Sequence, residues 1–216
     1  MPRGLSKDEV DSFRARICEA ATKVYAKKGE DAVTMRELAK ALDCSPMGLY
    51  RYFRDRDEII AALRTDAFNR FADALEEAFA RGNDPFSRAR EVGRAYLNFA
   101  LDNSNAYRLM FDLAPSNAKR YPALVVANAR ASRTITRHVK DLAAAGIVKG
   151  DPDKIGAALW AAAHGVIVLH LAGRLPAQLD VQDLYFETMR LTFRGARTPT
   201  RSPRGAIPFK SKRRTA

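Results

Sequence analysis

Cysteine, histidine and tryptophan are scarce in these 216 residues, at two, three and one. Two cysteines cannot build a disulfide framework, so Cys18 and Cys44 read as small, half-buried thiols of a reducing cytosol, with Cys44 the one placed for a redox role. Of the histidines, His164 and His170 lie six apart, on different faces of a helix, and make a poor metal pair. There is no His-x-x-x-His, no glycine-rich phosphate loop and no Gly-x-Ser-x-Gly, so neither a metal nor a cofactor is expected. No stretch alternates apolar and polar residues for long enough to make a strand, which leaves an all-α class. The N-terminus lacks the apolar stretch of a signal peptide, and the expected location is the cytoplasm.

Acid is also in short supply, with 25 Asp and Glu against 37 Lys and Arg, a formal net charge of +12. Such an excess favours an anionic partner, nucleic acid before a membrane surface. Much of it is local: seven Lys or Arg and no acid lie between Arg197 and Arg214. With three prolines and little apolar content, residues 195–216 read as a basic disordered tail, either an auxiliary tether to DNA through counterion release or a solubilising extension.

What is present is a pattern of short helices followed by long ones. Phe13, Ile17, Ala20, Ala21 and Val24 keep helical spacing over residues 8–28, and Gly29 can close that helix in the left-handed conformation. Thr34 and Glu37 have the spacing of a reciprocal cap for a helix carrying Leu38, Ala39 and Leu42. Asp43 and Cys44 make a turn, Ser45 caps the next helix, and Pro46 takes the first helical position, where its missing N–H costs nothing. Leu49 and Phe53 point inward, leaving Met47, Gly48, Tyr50, Arg51 and Tyr52 outward. Two short helices around a tight turn, the second too short to serve a core by itself, outline a DNA-reading helix-turn-helix.

Arg16-Ile-Cys-Glu-Ala-Ala, Tyr25-Ala-Lys-Lys-Gly29, Val33-Thr-Met-Arg-Glu-Leu-Ala39, Ser45-Pro-Met-Gly-Leu-Tyr-Arg-Tyr-Phe53 and Arg56-Asp-Glu58 together resemble the N-terminal signature of the tetracycline-repressor (TetR) family, over residues 12–63. The resemblance implies an all-helical, homodimeric, ligand-responsive transcription regulator, with an N-terminal DNA-binding domain at residues 8–56 and a helical ligand-binding and dimerisation domain at residues 57–194. Two departures stand out: Asp43 where the family usually has glycine, tolerable because aspartate enters the left-handed region, and Arg56 where it usually has lysine.

The DNA-binding set is then Thr34, Met35, Arg36, Ser45, Pro46, Met47, Gly48, Tyr50, Arg51, Tyr52 and Arg56. Arg36 is the candidate for a base contact, since arginine pairs bidentately with guanine. Thr34, Ser45, Tyr50, Tyr52 and Arg56 are placed for phosphates, and Met47 and Gly48 for the groove. Two copies held about 34–36 Å apart read a palindrome in double-stranded DNA.

Past Asp55 a helix should reach about residue 80, with others over residues 85–103, 105–112, 121–145, 152–171 and from 180 onward. Residues 155–172 are apolar all round apart from two histidines and so should be buried on most sides. Trp160, His164-Gly165 and Leu169 resemble a Trp-His-Gly C-terminal subtype of the family, which places the dimer interface at Ala157, Ala161, Gly165, Leu169, Leu184 and Met189. A small-molecule effector would sit among Tyr96, Phe99, Tyr107, Met110, Phe111, Trp160 and His164. Two other readings compete: a helical enzyme centred on His164, which needs a carboxylate beside that ring, and a membrane anchor through residues 155–172, a length at the edge of what spans a bilayer.

Overall fold

The computed structural model describes residues 6–111 and 118–197, and the described residues form helices α1 (Lys7–Lys28), α2 (Met35–Ala41), α3 (Pro46–Leu49), α4 (Arg56–Arg81), α5 (Pro85–Asp102), α6 (Ser104–Phe111), α7 (Pro122–Ala144), α8 (Pro152–Leu171) and α9 (Val181–Ala196). Single three-ten turns at Glu30–Ala32 and Ala118–Arg120 complete them, with no strand among these residues. The basic tail past Arg197 lies outside the described residues.

Local chemistry decides where each helix begins. Ser6 accepts the Glu9 N–H at 3.2 Å while the Glu9 carboxylate accepts the Ser6 N–H at 2.7 Å. Asp55, Asp84, Asp151 and Asp180 cap α4, α5, α8 and α9 by accepting N–H groups of the first turn, each such cap contributing about 1 kcal/mol. Thr34 accepts the Glu37 N–H at 3.1 Å, but Glu37 does not reach back. Its carboxylate is drawn instead to the Lys28 ammonium at 2.5 Å, so half of the expected reciprocal cap is exchanged for an ion pair to α1. Gly29 and Asp43 both take positive φ, 81° and 51°, as the two turns demand.

Two cores result. The head core gathers Ile17, Ala21, Val33, Leu38, Leu49 and Phe53 from the first three helices and their connections. It also recruits Ile59, Ile60 and Leu63 from α4 and Leu109 from α6, so the boundary expected at residue 56 runs through a packed interior and the physical head extends along the first two turns of α4. The body core is built around Phe71 of α4, which meets Tyr96 and Phe99 edge-on at centroid distances of 5.3 and 5.1 Å. At 26 residues α4 is about 39 Å long, and it links both cores, packing along α5 and α7.

One guanidinium joins the two parts. Arg64 of α4 is buried, donates to the Leu109 carbonyl on α6 at 2.8 Å and lies 3.9 Å from the Glu30 carboxylate in the head. A buried charge is tolerable only when hydrogen-bonded and paired, and here the pairing ties α6, α4 and the head connection at one point.

Expectation and structure part company at α8. By length and composition it could cross a membrane, with mean hydropathy 1.4, yet within the chain only 28% of that stretch is buried. It packs on α7 and α9 with one face: Gly156 is buried, and a Cβ there would lie 3.0 Å from Thr136 of α7. The opposite face, with Ala157, Ala161, Val168 and Leu169, is left bare.

Candidate nucleic-acid interface and interior cavity

Helix α3 has four residues, and only Leu49 among them is buried. Ser45 sets its start by accepting the Gly48 N–H at 3.1 Å, and Pro46 occupies the first helical position. Met47 and Tyr50 are 75% and 50% exposed, a costly placement for a thioether and a ring unless a partner covers them. Arg51, Thr34 and Arg36 are exposed as well, and Arg36 has no ion pair or hydrogen bond among the described residues, leaving its guanidinium free for a base edge.

Three members of the expected DNA-binding set sit elsewhere. Met35 is only 9% exposed and packs in the head core, because it begins α2 on the side that faces α1. Arg56 turns inward, donating to the carbonyls of Val33 at 2.7 Å and Glu30 at 2.6 Å, with Glu30 and Asp57 carboxylates beside it. The longer, forked guanidinium in place of an ammonium reaches two carbonyls at once, so this residue straps α4 to the head rather than waiting for a phosphate. Tyr52 is partly buried against Phe13 at 4.6 Å between ring centroids.

A clamp absent from the sequence reading holds the far end of the reading segment. Arg14 of α1 donates to the Tyr52 carbonyl, stacks 4.0 Å from the Phe53 ring centroid and pairs with Glu58 at 3.4 Å. Glu58 also accepts from the Arg54 backbone at 2.9 Å. The only signal for Arg14 was a cation beside the apolar stripe of α1, which by itself reads as a solvated residue.

In the body, a cavity of about 270 Å³ opens between α5, α7, α8 and α9. Its wall includes Tyr96 and Trp160 from the expected effector set, together with His138, Tyr185, Phe186 and Met189. Phe99, Tyr107, Met110 and Phe111 do not line it, since they pack on Phe71 and one another in the body core. Met189 and Leu184, expected at a dimer interface, are partly buried against that core within the subunit, and Met189 reaches the cavity.

His164 stands behind the cavity in a chain of hydrogen bonds. The Trp160 indole N–H donates to the Tyr96 hydroxyl at 3.1 Å, Tyr96 and Tyr107 hydroxyls are 2.7 Å apart, and Tyr107 is 2.7 Å from His164 Nδ1. Indole can only donate. If every hydroxyl proton is used, Tyr96 donates to Tyr107 and Tyr107 to an unprotonated Nδ1. Burial keeps every member of the chain neutral: it lowers the His164 pKa, pushes Tyr96 up to about 12 against the pull of its two hydrogen bonds, and raises Tyr107 further. The group that meets Nδ1 is thus a tyrosine hydroxyl, where a catalytic reading called for a carboxylate.

Helices α1 to α3 presenting an exposed reading helix, joined by one long helix to an all-helical body with a cavity open between α5, α7, α8 and α9, define a helix-turn-helix DNA-binding regulator. Residues 17–63 match the bacterial regulatory proteins of the tetR family, and residues 89–192 match the tetracyclin repressor-like C-terminal domain. The chain belongs to the tetR family of transcriptional regulators. Among curated relatives, the HTH-type transcriptional activator FasR of Mycolicibacterium smegmatis is 26% identical over 102 residues, 47% of each chain. The HTH-type transcriptional regulator Mb1846 of Mycobacterium bovis is 25% identical over 153 residues, 68% of this chain and 63% of that one. The matches thus span about half to just under two thirds of these relatives. A solved structure of a protein with unknown function from Rhodococcus sp. RHA1 superposes with a TM-score of 0.76 at 25% identity, covering 92% of this chain and 100% of that one.

Proposed function

We propose that the protein acts as a cytoplasmic homodimer that covers a palindromic operator, represses transcription, and releases the duplex when a small apolar effector enters the body cavity. The observation that carries the DNA reading is the bare face of α3 and its flank, where Met47, Tyr50 and Arg51 project from a four-residue helix that gives the core a single side chain. Dimerisation draws support from the uncovered side of α8. Leu169 is 48% exposed, and nothing lies within 4 Å of where a Gly165 Cβ would stand, room that suits close approach of a second helix. Ala157 and Ala161 share that face, and Leu191 of α9 is 56% exposed. The same residues, with Trp160 and His164, support placing the body in the Trp-His-Gly subtype.

Effector control follows from differential binding alone: a ligand that prefers one spacing of the two heads shifts the population toward it. The Arg64 tie gives the cavity end of the body a connection to the head, because Leu109 lies two residues from Tyr107. Repression is the sign assigned here, through occlusion of the promoter. The activator name of one relative argues for the opposite sign.

The test is selection of bound duplexes from a random pool, with sedimentation of the protein alone and in complex. A two-fold symmetric site and a dimer that dissociates in Leu169→Glu are expected. A monomer indifferent to double-stranded DNA at low salt sinks the proposal, and a promoter reporter decides between repression and activation.

A further inference from the structure

The cavity between α5, α7, α8 and α9 is long and thin. Its lining runs from Phe86 to Tyr96 along α5 and from Phe193 back to Tyr185 along α9. The two helices run in opposite directions there, since the Phe86 and Phe193 rings meet at 6.1 Å and Tyr185 donates its hydroxyl proton to the Gly93 carbonyl at 2.9 Å. Those spans set a length of about 12–15 Å at the helical rise. A volume of about 270 Å³ spread over that length leaves about 20 Å² of cross-section, the girth of one extended alkyl chain. A fused ring system is wider.

The two ends differ in polarity. Tyr96 and Tyr185 are buried at one end, and their hydroxyls are already used, Tyr96 by Trp160 and Tyr107 and Tyr185 by Gly93. A guest group lying there loses its hydration and finds no new partner, so that part of the guest is apolar. Toward the other end Phe86 is half exposed, and Arg90 and Arg190 stand on the wall with their side chains reaching solvent. No aspartate or glutamate lines the cavity.

The acids near these two arginines lie on their own helices. Glu187 pairs with Arg190 from three residues away, and the Glu91 carboxylate is 3.7 Å from Arg90, too far for a hydrogen bond. Exposed pairs of this kind contribute about 0–1 kcal/mol, so an incoming anion displaces them at little cost. No ion pair crosses from α5 to α9 among the described residues. Glu187 is shared with Arg194, and Arg94, one turn past Arg90, has no ion pair among the described residues, so the mouth keeps an excess of cation.

We propose that the effector is a single-tailed amphipathic anion, its alkyl tail threaded between α5 and α9 toward Tyr96 and its carboxylate or phosphate head held at the mouth by Arg90 and Arg190. This rests on the reading of the cavity as the effector site and gives the apolar guest one charged end. A planar guanidinium from each helix can grip the oxygens of one head group. An extended chain of about ten carbons fills the length.

Trp160 is the single tryptophan of the chain and stands on the cavity wall, so its fluorescence reports occupancy. Decanoate, decanol and decyltrimethylammonium, all below their micelle concentrations, share one tail and differ in charge. Decanoate should quench Trp160 saturably, decanol should bind about tenfold more weakly for want of the charged contacts, and the ammonium more weakly still. Naphthoate, with the same head on a wider body, should also bind more weakly than decanoate. Decyl phosphate beside decanoate tells which anionic head is preferred, and tighter binding of either than of decanol supports the class. In the double variant Arg90→Gln, Arg190→Gln the decanoate affinity should fall to that of decanol, whose own affinity stays as it was. Melting temperature serves as the control for folding.

Decanol binding the unaltered protein as tightly as both anions, naphthoate binding more tightly than decanoate, or an anion preference that survives the double variant each overturns the proposal. Ala163→Phe, which places a ring in the cavity, separates this failure from that of the effector site. If decanol matches the anions and Ala163→Phe abolishes the quench, the site stands and the anionic class falls. If decanoate binds through the arginines yet leaves duplex affinity unchanged, the anion site stands and the effector reading falls. If no probe binds and Ala163→Phe leaves operator affinity unchanged, both fall.

Discussion

Replacing His138 by leucine should remove a defined part of the protein's sensitivity to acid. Burial pushes the His138 imidazole down from its ordinary 6.5 to about 4, against a weaker upward pull from Asp141. In the unfolded chain the ring takes up a proton below about 6.5, whereas the folded chain refuses it until about 4. Between those values unfolding binds a proton, so stability falls as pH falls and levels off below the folded value. One pH unit corresponds to about 1.4 kcal/mol, and allowing for the ring's partial contact with solvent, the loss from pH 7 to pH 4.5 attributable to His138 is about 2 kcal/mol. Urea unfolding of both proteins at the two pH values, at one protein concentration, measures it. Carboxylates held low by cations, such as Glu37 by the hydrogen bond and charge of Lys28, titrate alike in both and cancel in the difference. Stability curves for the two proteins that run parallel between pH 7 and 4.5 would show that His138 is solvated.

Four further outcomes are expected. Arg36→Ala should cost about 1–3 kcal/mol of specific binding and flatten preference at one base pair per half-site; equal loss on specific and random duplexes, measured by anisotropy, would assign Arg36 to phosphate alone. Arg64→Met leaves the Leu109 carbonyl without its donor and should destabilise the fold by about 1.5–3 kcal/mol, a lowering of several degrees in calorimetry; an unchanged melting temperature would deny that the head and α6 are tied there. Gly82→Ala would set a Cβ 2.5 Å from the Arg88 backbone, so about 1–3 kcal/mol should be lost in urea unfolding, and a neutral result would mean the α4–α5 connection has slack. Removal of residues 198–216 should weaken binding to all duplexes and reduce its salt slope, and a slope identical to that of the full chain would take the tail off the DNA.

The helix-turn-helix was readable from residues because its signals are local. Ser45, Pro46 and the Asp43 turn each act within four residues, and the structure places all three as that chemistry requires. The roles of Met35, Arg56 and Arg14 were not readable. Whether a cation beside a helix start meets a phosphate or two carbonyls 23 and 26 positions away depends on how α4 docks against the head, which no spacing within α4 encodes. The aromatic residues of the body show the same limit. Tyr96 and Phe99 lie three apart on α5 and both meet Phe71 edge-on, yet only Tyr96 also lines the cavity.

Periodicity, caps and charge therefore determined the helices, their order, the all-α class and the reading segment, since each arises from contacts between residues a turn apart. Tertiary structure alone decided which side of each helix met another, where the cavity opened, which cations turned inward and which face of α8 was left uncovered. Those outcomes come from packing between elements distant along the chain, where side-chain volume and unmatched polar atoms weigh more than local preference.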